Sequence, residues 1–249
     1  MANAAFHAVG AVTASGNNVT TPVTLSPALP TRFSSDVLLL FVWSAQITMT
    51  VTTPAGWTLL TTQTSGTALG GRLFVFGRAV DGAETAPSCV IGSLTTGTTG
   101  TPASTVVASY SHVDISQGIA NILDGTVTLS DQAASTTTVT IPSVTTALLN
   151  SLAIGFACKL AELSATFTPP SGWSEELDTL TTSGTGYQSE ISDKSFASAG
   201  ATGSVTCAPS VTTSSRAIGV ALALKSEVAA ASRQSVVVGA AVAPRALTR

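Results

Sequence analysis

The longest apolar runs in the chain, "DVLLLFVW" at 36–43 and "SVVVGAAVA" at 235–243, are of strand length, and nowhere do about 18 apolar residues follow one another unbroken. No membrane span is therefore expected. The other periodic segments include "ITMTVTT", "RLFVFGRAV", "STVVASYSHV", "TTTVTIPSV", "SLAIGFAC" and "RAIGVALAL". They alternate with period two or are short β-branched runs, and the Gly, Ser, Thr, Pro and Asn clusters between them read as turns. The pattern predicts an all-β protein of roughly a dozen strands, with packed sheets to cover its half-apolar faces. Helical patterning is confined to a short turn at "SEELDTL" (174–180) and to "KSEVAAASRQ" (225–234).

An internal repeat narrows the architecture. "TTPAGWTLLTTQ" at 52–63 returns as "TPPSGWSEELDT" at 168–179; "SSDVLLLFV" at 34–42 as "LNSLAIGFA" at 149–157; "RLFVFGRAV" at 72–80 as "SEISDKSFA" at 189–197. "STVVASYSHVD" at 104–114 and "SSRAIGVALAL" at 214–224 share a pattern more than identities. Trp57 and Arg78 stand 78 − 57 = 21 positions apart, as do Trp173 and Lys194 (194 − 173 = 21). Each half offers too few strands to cover an apolar sheet face alone. The expectation is one jelly-roll-like, double-sheet sandwich over 34–225, built from pseudo-repeats 34–114 and 149–225 packed face to face. Residues 115–148 would supply crossing strands, 1–33 an N-terminal segment, and 226–249 a C-terminal arm.

Composition bears on partners. Charged residues are 9 % of the chain, against about 25 % in an average soluble domain. So sparsely charged a surface suits a protein that works in an assembly. The net charge of −3 and scattered basic residues argue against nucleic acid. "MANAAFHAVGAVTASG" lacks a basic stretch followed by a solid apolar block, so no ordinary secretory signal is expected, and "NVT" at 18–20 is then not a glycan acceptor. Cys89, Cys158 and Cys207 are widely spaced and odd in number, which reads as buried thiols rather than a disulfide framework or zinc site. No cofactor or metal is expected.

Candidate site residues are few. In each Pro-x-Gly-Trp corner, Pro fixes φ and Gly permits a positive one, so Trp57 and Trp173 are aimed in fixed directions. They read as stacking platforms for sugar rings or as plugs closing the ends of the sandwich core; the repetition favours plugs. Trp43 reads as core or interface. His112 and Asp114 would share one strand face, but no Gly-x-Ser-x-Gly elbow accompanies them, and His7 stands apart near the terminus. No enzyme is expected. Glu175, Glu176 and Asp178 form the densest acidic cluster and read as a solvated turn rather than as glycosidase carboxyls. In the tail, Val236, Val237, Val238 and Arg245 read as an assembly arm or as a last edge strand; "RAIGVALALK" already looks like the closing strand, which favours the arm.

Taken in order, "DVLLLFV", "TPAGWTLL", "RLFVFGRAV", "SYSHVD", "NSLAIGFA", "TPPSGW", "ISDKSFASAGATGSVT" and "AIGVALALK" resemble a β-sandwich family of bacteriophage structural proteins and some bacterial surface proteins. The resemblance runs from about residue 34 to 225. His112 departs from the pattern, which has Gly there. The resemblance implies a virion or cell-surface structural part and no activity; together with the repeat, the sparse charge and the absent signal, it leads to the expectation of a structural component of a tailed bacteriophage virion, a surface-exposed accessory protein of the head or tail. Its partners would be other virion proteins and copies of itself. The alternative is a carbohydrate-binding module that adheres to a host-surface glycan.

Overall fold

A computed structural model describes residues 2–16, 22–66, 71–94, 102–160, 166–181, 187–210 and 215–227. Among these the regular structure is antiparallel β apart from one 3₁₀ turn, Ile119–Asn121. The strands in chain order are β1 (Ala5–Val9), β2 (Thr13–Ala14), β3 (Val23–Leu25), β4 (Val37–Ser44), β5 (Thr50–Thr52), β6 (Thr58–Thr64), β7 (Arg72–Ala79), β8 (Cys89–Gly92) and β9 (Ala103–Ser111) before that turn. After it come β10 (Thr128–Thr136), β11 (Val139–Ile141), β12 (Thr145–Thr146), β13 (Ser151–Leu160), β14 (Phe167–Thr168), β15 (Ser174–Thr181), β16 (Tyr187–Phe196), β17 (Gly200–Ala201), β18 (Val205–Pro209) and β19 (Ser215–Leu224).

Two large sheets carry the fold. The first runs β1-β9-β4-β7-β6, with β2 also on β9; the second runs β10-β19-β13-β16-β15. A small sheet β3-β8-β5 accompanies the first, and β11-β18-β14 the second. The run "VLLLFVW" lacks alternation because β4 is buried on both faces, so every position must be apolar. Val37, Leu39, Phe41 and Trp43 join Leu152, Ile154 and Phe156 of β13 in a core between the two large sheets. Leu38, Leu40 and Val42 face the other way, onto Leu25, Met49, Cys89 and Ile91. Ala153 and Ala157 of β13 likewise back onto Val139, Ile141, Phe167 and Cys207. At the sheet margins β1 lies against β15 and β6 against β10.

Small residues on β13 and β19 let the second small sheet approach closely. A Cβ on Gly219 would stand 1.9 Å from the Thr140 carbonyl oxygen, and one on Gly155 would meet Ile141 Cδ1 at 2.6 Å. Only glycine admits β11 at that depth.

Several expectations are corrected. The sandwich is four layers deep rather than two, because each half brings its own small sheet as well as a large one. Residues 1–33 are no separate segment: β1 and β2 pair with β9, and β3 with β8. Within 115–148, β10 and β11 pair with β19 and β18, so the second half begins well before 149. "SEELDTL" is strand β15 and not a helical turn, since its bulged ladder with β16 gives its backbone groups partners. The proposed arm residues Val236, Val237, Val238 and Arg245, the rest of 228–249 and "NVT" lie outside the described residues.

Candidate functional site

Both tryptophan corners are turns closed by the chain itself. The Trp57 N–H donates to the Pro54 carbonyl at 3.1 Å, and the Trp173 N–H to that of Pro170 at 3.0 Å. Gly56 and Gly172 take φ of 79° and 76°, where a side chain would be strained. A cation from the neighbouring strand covers each glycine: a Cβ on Gly56 would meet Arg78 Nη1 at 2.9 Å, and one on Gly172 would meet Lys194 Nζ at 3.4 Å. Trp57 is only 6 % exposed and Trp173 8 %. Their rings lie in the two outer cores, and too little ring surface is left for a sugar to stack on.

The two halves differ most on β16. Its counterpart β7 puts Phe74 and Phe76 into the first outer core, against Val42 and Leu40 of β4. On β16 the residues facing the second outer core are Gln188, Glu190 and Ser192, all fully buried, opposite Lys159, Ala157 and Gly155 of β13. Glu190 stands directly across the ladder from Asp178 of β15. The Cys207 thiol lies 3.5 Å from Glu190 Oε1, and the Phe167 N–H donates to Asp178 Oδ2 at 3.0 Å. Burial pushes the Glu190 carboxyl up to about 7; the nearby Ser192 and Cys207 side chains work against this, and the charges of Glu175 and Asp178 add to it. Burial raises Asp178 as well, against the stabilising Phe167 N–H. It also disfavours the charged form of Lys159.

The opposite face of the same two strands holds a second acidic pair. Asp193 and Ile191 point into the core between the large sheets, where Tyr110 of β9 is fully buried. Burial raises Asp193 to about 6, and burial together with the Asp193 charge raises Glu176 to about 7. The Tyr110 hydroxyl is pushed well above its ordinary value by burial, then by these two carboxyls. Buried atoms here lack hydrogen-bond partners: both amide atoms of Gln188, the Ser189 and Ser192 hydroxyls, and one oxygen each of Asp178, Glu190 and Asp193. The expectation of a solvated acidic turn at 175–178 is thus corrected. Only Glu175 of the three is exposed, and β15 packs its acids against those of β16.

His112 and Asp114 do not converge. His112 Nδ1 lies 3.4 Å from Glu227 Oε2, while Asp114 Oδ1 accepts from the Ser116 N–H at 2.9 Å. His112 takes φ 55°, in the left-handed region that favours glycine. A tighter pair escaped the sequence reading: His7 Nδ1 is 2.6 Å from Asp36 Oδ2, which also accepts the Phe33 N–H, and the His7 ring stacks on Phe33 at 4.4 Å. Its members lie 29 positions apart, and no local spacing marks them. The pair ties β1 to the entrance of β4. Cys89, Cys158 and Cys207 are buried and free. Among the described residues no group of three or more His, Cys, Asp or Glu side chains is placed to hold a metal ion, and no helix is long and apolar enough to cross a membrane.

Comparison with known protein families, curated proteins and solved structures gives no match to the chain.

Proposed function

We propose that the chain is a structural component of a tailed bacteriophage particle, a surface-exposed accessory protein of the head or tail that acts by assembly, and that each half is a jelly-roll-like unit. One observation carries the reading. Labelled by order within each half, the five strands of the first large sheet (β1, β4, β6, β7, β9) and of the second (β10, β13, β15, β16, β19) run first-fifth-second-fourth-third, and both small sheets are threaded the same way. Two antiparallel sheets threaded so belong to the jelly-roll manner of closing a sandwich, common in capsid and lectin domains. The sparse charge and the sequence resemblance add support.

Among the described residues the buried apolar side chains fall into three cores, which supports a scaffold. The glycan alternative drew on Trp57 and Trp173, and their burial weakens it. Glu227, the last described residue, donates its N–H to the His112 carbonyl and its carboxylate lies beside the exposed His112 ring. The test is assembly. A chain cut after Glu227 is expected to remain folded, with unchanged circular dichroism, and to be missing from purified particles that contain the full-length protein. Equal incorporation of both would remove the arm from the mechanism; absence of the full-length protein from particles would remove the virion reading.

A further inference from the structure

The hairpin β15–β16 carries five carboxyls, Glu175, Glu176, Asp178, Glu190 and Asp193, whereas its counterpart β6–β7 carries none. They lie on both faces of one ladder. On the outer face Asp178 and Glu190 are directly opposed, with Glu175 further along at the exposed edge. Like charges directly opposite one another weaken a ladder. On the inner face Asp193 pairs with Ser174 of β15, and Glu176 sits in the bulge close enough to feel its charge.

The groups that face these acids offer little compensation. Toward Glu190, β13 contributes Ala157 with Lys159 two positions on, β18 contributes the Cys207 thiol, and β14 only Phe167 and Thr168. Toward Asp193 and Glu176, β9 contributes Tyr110, and β1 contributes Phe6, whose ring meets Tyr110 edge-on at 5.8 Å. The one titratable side chain of β1, His7, is bonded to Asp36. Gln188, fully buried on the Glu190 face with both amide atoms unpartnered, adds a second mark of incomplete satisfaction. The Gln188 amide lies near enough to Asp178 to favour its charged form without meeting hydrogen-bond geometry.

We propose that the β15–β16 ladder is a proton-locked seam: closed while its opposed carboxyls hold their protons, and loosened when they ionise, so that β15 separates and β16 becomes the free edge of the second large sheet. A free edge can take a strand from a partner. The seam closes in acid and loosens toward alkaline pH, because ionisation puts like charges directly opposite one another, and the single Phe167 N–H on Asp178 and the weak Cys207 thiol donor on Glu190 do not offset their burial.

Amide hydrogen exchange of the full-length protein tests this, with β6 as internal reference and intrinsic rates corrected for pH. Protection of residues 174–181 is expected to fall about tenfold or more relative to 58–64 between pH 5 and pH 8. Parallel behaviour of the two strands would overturn the proposal. In the double variant Asp178→Asn, Glu190→Gln the relative step is expected to shrink; an undiminished step in the folded variant would also overturn it. Carbon-detected titration of the side-chain carboxyls in the unaltered protein needs no variant, and a Glu190 midpoint in the ordinary carboxylate range refutes the seam.

Discussion

Phe41 and Phe156 stack across the core between the two large sheets, with centroids 6.0 Å apart and planes within 9°. They occupy matching places in "VLLLFV" and "LAIGFA", 156 − 41 = 115 positions apart. The stack joins β4 of one large sheet to β13 of the other. The margins agree, since β1 meets β15 while β6 meets β10.

Removing either ring should therefore damage both halves. Phe41→Ala and Phe156→Ala are each expected to cost about 3–5 kcal/mol, and the double variant less than the sum, because the two share one cavity. Chemical denaturation of the three variants measures this; full additivity would separate the rings energetically.

The corner tryptophans should behave as core. Trp57→Ala and Trp173→Ala are each expected to destabilise by about 3–5 kcal/mol. All three tryptophans are buried, Trp43 completely. Native fluorescence should thus be blue-shifted and resist iodide quenching; ready quenching would place a ring at the surface.

Two glycine substitutions on one sheet face should differ in severity. Gly219→Ala drives a methyl group into the Thr140 backbone carbonyl, whereas Gly155→Ala meets the movable end of Ile141. Thermal melts are expected to rank Gly219→Ala as the more damaging, by about 1–3 kcal/mol. The reverse ranking would mean that β11 shifts as freely as a side chain.

Stability should have an acid-side maximum. Glu190 and Glu176 at about 7 and Asp193 at about 6 hold protons more tightly folded than unfolded, so their contribution is complete below the unfolded carboxyl range and is lost as pH rises toward 7. Glu84 works in the other direction. Burial opposes its charge, but N–H groups of Asp81 and Gly82 and the Arg32 guanidinium outweigh it and hold the carboxyl near 2. Its contribution is lost as pH falls from about 4.5 toward 2. Denaturation midpoints from pH 2 to 8 should peak between about pH 4 and 5 (about half a unit either side of the unfolded carboxyl value); a monotonic rise to pH 8 contradicts the buried acids.

Thiol chemistry gives a further check. Burial pushes Cys89 and Cys158 up to about 12 and Cys207 higher still. None of the three should react with a thiol reagent at neutral pH until the chain is unfolded, when all should react together. Fast labelling in the native state would show that a core opens.

Period-two runs made the strands legible in the sequence, and the repeat placed the Trp corners with their cations. The number of layers was not legible, because outer strands of three residues, such as "VTL" at 23–25 and "VTI" at 139–141, are too short to carry a period. The β15–β16 acids were misread for a related reason. Local polarity in "SEELDT" signals solvent, and only pairing with "SEISD" more than ten residues later turns those side chains inward. The His7–Asp36 contact likewise depends on β1 being carried to the sheet by β9.

That last pairing orders events during synthesis. Ala5 of β1 registers with Ser111 of β9, 111 − 5 = 106 positions downstream. The strand made first must wait on the ribosome for the strand made last in its half, and only then can the first large sheet exist as a surface. A translational pause late enough for β9 to have cleared the ribosome would favour correct docking of β13 over pairing with unfinished edges.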